Sequence, residues 1–150
     1  MWLELIRKYV TNNNFIVPQC GASLSKIQNA EKKLGVLFPQ ELKDLLLEVN
    51  GDQCLLLSTD QIIEDNDLIR KNLSECYDGL DALLFIAGNG CGDYYAYVIQ
   101  DGKISTNQIV RWEHEINECV AVATGLVEMI EKYYRQGVQT RGTGELSVLY

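Results

Sequence analysis
No apolar run in this 150-residue chain exceeds six residues, far short of the roughly 20 needed to cross a bilayer. Met1-Trp2-Leu3-Glu4 lacks a basic leader region and is followed by charges, so no secretory signal is visible. Five cysteines are present, Cys20, Cys54, Cys76, Cys91 and Cys119, an odd number without a single C-x-x-C pair. That spacing is not that of a tetrathiolate zinc site, and scattered free thiols fit a reducing compartment. From these features a cytoplasmic location is expected, with no membrane partner. Histidine occurs once, at His114, so there is no H-x-x-x-H pair either, and no metal or cofactor is expected. Internal repeats are absent. Bases are scarce as well: 13 Lys and Arg stand against 21 Asp and Glu, a net charge of −8.

The deficit of bases is local. Asp44 to Asp101 holds twelve acids and only two bases, Arg70 and Lys71. A segregated acidic field repels nucleic acid and draws basic partners inward, so no nucleic-acid partner is expected; the same acids read equally as keeping a small protein soluble. Hydrophobic residues at 47% and charged ones at 23% match an ordinary globule of one domain spanning 1–150.

Two six-residue apolar runs, Ala82–Ala87 and Tyr94–Ile99, flank Gly88, Gly90 and Gly92. Their length and glycine boundaries predict paired strands, and their unbroken apolarity predicts the centre of a sheet covered on both faces. Before them, Trp2, Leu5, Ile6, Tyr9 and Val10 recur at helical spacing. A second helix capped by Ser23 or Ser25 ends at Gly35, and Pro39 is placed as the first residue of a third, closed by Asn50-Gly51. Cys54–Leu57 reads as a short strand, and Ser58, Thr59 or Asp60 caps a polar helix-like segment. Residues 72–81 read as irregular. Asp101-Gly102 is a hairpin signal leading to a strand over Ile104–Trp112, with Val110 and Trp112 on one face and Ile109 on the other. Cys119–Ala123 adds a short strand. Thr124 caps a closing helix through Tyr134, and 137–150 is a tail in which Leu146–Tyr150 has strand character. Helices first, antiparallel strands next and a last helix make an α+β fold with a mainly antiparallel central sheet flanked by helices.

Gly88-Asn89-Gly90-Cys91-Gly92-Asp93 is not a dinucleotide loop. It has Asp at the sixth place and leads into a strand, so no helix N-terminus faces a phosphate. The glycines instead predict a bulged connection in which Asp93 caps backbone amides. Tyr94, Tyr95 and Tyr97 read first as core and sheet packing; strand alternation puts Asp93, Tyr95 and Tyr97 on one side, a row of carboxylate and phenols also suited to docking, with Tyr94 on the other. Cys91 and His114 are the one nucleophile–base pair available, but no orienting acid or oxyanion hole is legible for them. His114 otherwise reads as an exposed loop residue.

Ser25-x-Ile27, Glu31, Leu34-Gly35, Phe38-Pro39-x-Glu41 and Asn50-Gly51 resemble the N-terminal signature of SUKH domains. Gly90-x-Gly92-Asp93-x-Tyr95 and Trp112-Glu113-His114 resemble that family's second and third motifs. The match runs in order from about residue 23 to 134. The resemblance implies an α+β domain without catalytic residues that works by binding. Most bacterial members are immunity proteins against a cognate toxin, often a nuclease, and eukaryotic relatives include a yeast regulator of cell-wall synthesis. It also implies that Gly35, Pro39, Gly51, Gly88, Gly90 and Gly92 serve the fold, and that Asp93, Tyr95 and Trp112 lie nearest the partner cleft. With Asp60, Glu64, Asp65 and Asp67 on the polar segment and Glu113 beside the turn, these make up the expected surface for a basic toxin. A regulatory scaffold role and a Cys–His hydrolase are the alternatives.

Overall fold
The computed structural model describes residues 1–11 and 13–143, with side chains through Gln136. Four helices come first: α1 (Trp2–Val10), α2 (Leu24–Leu34), α3 (Gln40–Glu48) and α4 (Thr59–Leu73). Strands β1 (Leu83–Gly88), β2 (Tyr94–Val98), β3 (Ile109–Glu113) and β4 (Glu118–Ala123) follow, and α5 (Leu126–Thr143) ends the described chain. This is the expected α+β domain with an antiparallel sheet, in the order β1-β2-β3-β4.

Helix boundaries follow local chemistry. Ser23 caps α2 by accepting the Lys26 amide at 3.2 Å, and Gly35 ends that helix at a φ of 71°. Pro39 stands one residue before α3 instead of starting it, because its ψ of 149° is extended, and its carbonyl takes the Leu42 and Lys43 amides. Ser58 and Gln61 form a reciprocal capping box on α4. The Leu126 amide of α5 goes to Glu41 Oε1 at 3.2 Å, while Thr124 donates to Glu128. Backbone helix continues through Gly137–Thr143, where a tail is expected from sequence; Leu146–Tyr150 lies outside the described residues.

Cys54–Leu57 is a loop, not a strand. The amides of Cys54, Leu55 and Leu56 all turn inward to Asp52 Oδ1, at 3.0, 2.9 and 2.8 Å, so they cannot serve a ladder. A single bridge, Leu56 opposite Ala87, joins the segment to β1, made by the Leu57 amide to Ile86 and the Gly88 amide to Leu55. The Asp101-Gly102 hairpin turn forms, with φ of 52° and 74°, but one Gln100–Lys103 bridge closes it and ladder pairing resumes only at Ile109.

The two apolar runs are neighbours in antiparallel register, Leu84 opposite Tyr97. β2 is interior, whereas β1 is an edge strand and not the sheet's centre. Its outer rim is nonetheless fully used. Asn66 of α4 donates to the Phe85 carbonyl at 2.8 Å and accepts its amide at 2.9 Å, doing what a neighbouring peptide would do. Arg70 donates to the Leu83 carbonyl, and the Asp52 loop donates the Leu57 amide to the Ile86 carbonyl and accepts the Gly88 amide at the Leu55 carbonyl. Cores cover both faces, which is why β1 is apolar at every position. Leu84, Ile86, Tyr95, Tyr97 and Ile109 meet α1, α3 and α5 on one side. Leu83, Phe85, Ala96, Val110 and Trp112 meet Ile69 and Leu80 on the other.

Candidate functional site
The glycine turn between β1 and β2 forms one wall of a cleft of about 270 Å³. The Asp52 loop and the Gln61–Asp65 part of α4 form the other. Within the turn the Cys91 amide bonds Asn89 Oδ1 at 2.8 Å, and the Asn89 amide bonds the Asp93 carbonyl. Asp93 caps a backbone amide, as its sequence context predicts. Its Oδ1 accepts from the His114 amide at 3.1 Å and lies 2.7 Å from His114 Nδ1. Tyr77 donates its hydroxyl to the His114 carbonyl at 2.6 Å. His114 is therefore held on three sides, with its ring half-exposed.

Gly92 is demanded by that arrangement. Its φ is 99°, and an added Cβ would lie 2.7–2.9 Å from three atoms of the His114 ring. Gly92→Ala is expected to cost about 2–4 kcal/mol, the sum of left-handed backbone strain and displacement of the ring. In a His114→Ala background only the backbone part, about 1–2 kcal/mol, should remain. Equal costs in both backgrounds, measured by urea unfolding, would show that the ring is not what excludes a side chain.

Burial pushes the Asp93 carboxyl up, but hydrogen bonds from the His114 ring and amide, helped by Asn89, outweigh it and hold the carboxyl below its ordinary 3.8. The stability this adds is present above that pH and lost as pH falls below it, so His114→Ala should also flatten the acid side of the stability profile.

Across the cleft, Tyr94 donates to Asp65 Oδ2 at 3.0 Å; burial first, and Asp65 second, push its phenol up to about 12. Tyr95 and Trp112 do not offer contact surface, being 0% and 1% exposed. Tyr95 and Tyr97 do share a side, but that side is the main core, while Asp93, just before the strand, lines the cleft. Tyr95 packs edge-on to Tyr133, and Tyr97 donates to Glu41 at 2.7 Å. Trp112 fills the second core against Phe85 and donates to Asn117. They support the cleft from behind.

The expected acids divide. Asp65 and Asp93 line the cleft. Asp60, Glu64 and Asp67 share the outer face of α4, where i, i+4 and i+7 coincide. Local cations answer several of them: Lys26 lies 3.9 Å from Asp60, Lys71 2.9 Å from Asp67, and Arg111 2.6 Å from Glu113. Glu64 has no ion pair among the described residues, so the acidic field is patchier than the sequence count implies. Cys91 is exposed, and no hydrogen bond joins its sulfur to His114 among the described residues. An acid orienting His114 does exist, in Asp93, although sequence offered no sign of it. No cluster of three potential metal ligands occurs among the described residues, and no helix among them is long and apolar enough to cross a membrane.

Sequence reasoning missed Asp52, Asn66 and Tyr77. Asp52 carried one local signal, the Asn50-Gly51-Asp52-Gln53 run. Gly51 there has a φ of 87°, and a Cβ on it would sit 2.9 Å from the Ser58 amide nitrogen. Asn66 and Tyr77 act on residues far along the chain and carried none.

A search of curated proteins found no match to the chain. A family model does match, over residues 21–132, the stretch that runs from the start of α2 into α5 and includes the glycine turn, Asp93 and His114. Membership is consistent with a toxin-immunity or regulatory module. On the length of that match and the order of its motifs, the chain belongs to the SMI1/KNR4 family (SUKH-1).

Proposed function
We propose that this protein is a cytoplasmic immunity protein that binds a cognate bacterial toxin stoichiometrically and occludes its active site or substrate groove. The observation that carries the reading is the cleft beside the glycine turn. Its polar groups hold one another: Asp93 grips His114, Tyr94 grips Asp65, and Asp52 grips a loop of amides. Such a surface is preorganised for docking, since little freedom is left to lose when a partner arrives. Carboxylates at and around it suit a basic toxin face, such as that of a nuclease. The role in this reading is binding and not catalysis, in keeping with the family to which the chain belongs.

The pairing of Asp60, Asp67 and Glu113 with cations favours a second reading, a regulatory module whose partner is not strongly basic. Co-expression with the product of the adjacent gene separates the two. The immunity reading expects rescue of growth and co-purification at one to one, with Cys91→Ser protecting as well as wild type. A folded protein that neither rescues nor co-purifies leaves the regulatory reading standing and removes the first.

A further inference from the structure
At the other end of the sheet lies a larger groove of the opposite character. β2 runs from the cleft at Tyr94 to Val98, about 17 Å of strand, and the hairpin beyond it forms one bank of this groove. The last turn of α2, the connection into α3 and Lys43 form the other, enclosing about 740 Å³. Its apolar wall includes Val36, Phe38, Ile104 and Leu37, which is 74% exposed. In a protein of net charge −8 the charged lining is Lys32, Lys43, Lys103 and a single acid, Glu31.

That acid is spent. Glu31 is 7% exposed, its Oε2 accepting the Phe38 amide at 2.7 Å with Lys43 Nζ at 3.4 Å. Lys32 and Lys103 make no ion pair among the described residues. Lys32 suits the negative end of α2, but that does not account for Lys103, which reaches the same rim from a different element. Two lysines with no ion pair among the described residues therefore line the same groove as the apolar strip.

We infer that this groove is a second docking site, separate from the glycine-turn cleft, for an acidic segment of a partner protein carrying large apolar side chains. The lysines would meet its carboxylates, and the Leu37–Ile104 strip would take its apolar groups. A polyphosphate would leave the apolar strip of Val36, Leu37, Phe38 and Ile104 uncovered, so it fits this lining less well than an acidic segment with large apolar side chains. The site gives the domain two surfaces of opposite sign, one at each end of the sheet, and does not depend on the immunity reading.

The test uses the full chain and a blocked hexapeptide, DLEFDE, with its neutral counterpart NLQFNQ. Isotope-labelled protein titrated with DLEFDE should show amide shifts centred on Leu37, Lys103 and Ile104, saturating at millimolar peptide or below. Lys32→Glu combined with Lys103→Glu should weaken binding at least about tenfold without changing the melting temperature, since both side chains are exposed. Leu37→Ser, which keeps the charges, should weaken it several-fold. NLQFNQ should bind about tenfold more weakly than DLEFDE, a gap that narrows at high salt. Equal binding of the two peptides overturns the inference, as do shifts centred on the glycine turn or insensitivity to the double charge reversal. Absence of saturable binding by DLEFDE does so too.

Discussion

The Asp52→Ala variant is expected to lose about 3–5 kcal/mol of folding stability, a large part of the 5–15 kcal/mol typical of a domain this size. Asp52 is 0% exposed. One oxygen collects the Cys54, Leu55 and Leu56 amides, and the other accepts the hydroxyl of Tyr134 from α5. Burial, then the neighbouring carboxylate, hold the Tyr134 phenol far above its usual range, so it stays a donor. An unsatisfied buried amide costs about 1–3 kcal/mol, and three lose their acceptor together. Water entering the vacated space recovers part of that. Asp52→Asn keeps an acceptor oxygen and should cost well under half as much, while Tyr134→Phe removes one donor and should cost about 1–2 kcal/mol. Urea unfolding with an unchanged m-value measures all three. The loop is also a wall of the cleft, so partner binding should fall with it. A cost below about 1 kcal/mol for Asp52→Ala would show that the loop is held by its apolar contacts and not by the carboxylate.

Reversing Glu64 and Asp67 to lysine is expected to slow capture of a basic toxin about tenfold at low salt while shifting stability by less than about 1 kcal/mol. Both side chains are on the outer face of α4, and the double change brings the net charge from −8 to −4. Long-range steering responds to that sum, so Glu64→Lys alone and Asp67→Lys alone should each supply about half of the logarithmic effect. They differ locally. Asp67→Lys sets two lysines four residues apart in place of the pair with Lys71, whereas Glu64 has no ion pair to lose among the described residues. Exposed charges act over about 8–10 Å at physiological salt, so added salt should erase most of the difference between variants. Stopped-flow association at two ionic strengths reads this directly. Rates indifferent to both charge and salt would rule steering out and favour the regulatory reading, in which the partner need not be basic.

Most of the fold was legible because its rules are local. Ser23 and Gly35 bound α2, Asp101-Gly102 forms the turn that dipeptide predicts, and Val110 and Trp112 oppose Ile109 by simple alternation. The family itself was legible as motifs in order. Asp93 as a cap was legible too, since a carboxylate next to a glycine turn has few other uses there. Each inference needed only a few neighbouring residues.

What sequence could not decide are contacts between residues far apart in the chain. Alternation put Tyr95 and Tyr97 together, but it does not say whether that row faces a core or a partner; helices brought from elsewhere in the chain decide for the core. The apolar run of β1 reads as interior; Asn66, nineteen residues earlier, satisfies its edge instead. Cys54–Leu57 has strand composition, yet Asp52 takes its amides. The acids of α4 read as a field, and lysines placed by the fold neutralise part of it. A sequence fixes where an element begins, turns and ends through interactions over a few residues; which groups are buried, paired or left to a partner depends on what the rest of the chain brings to them.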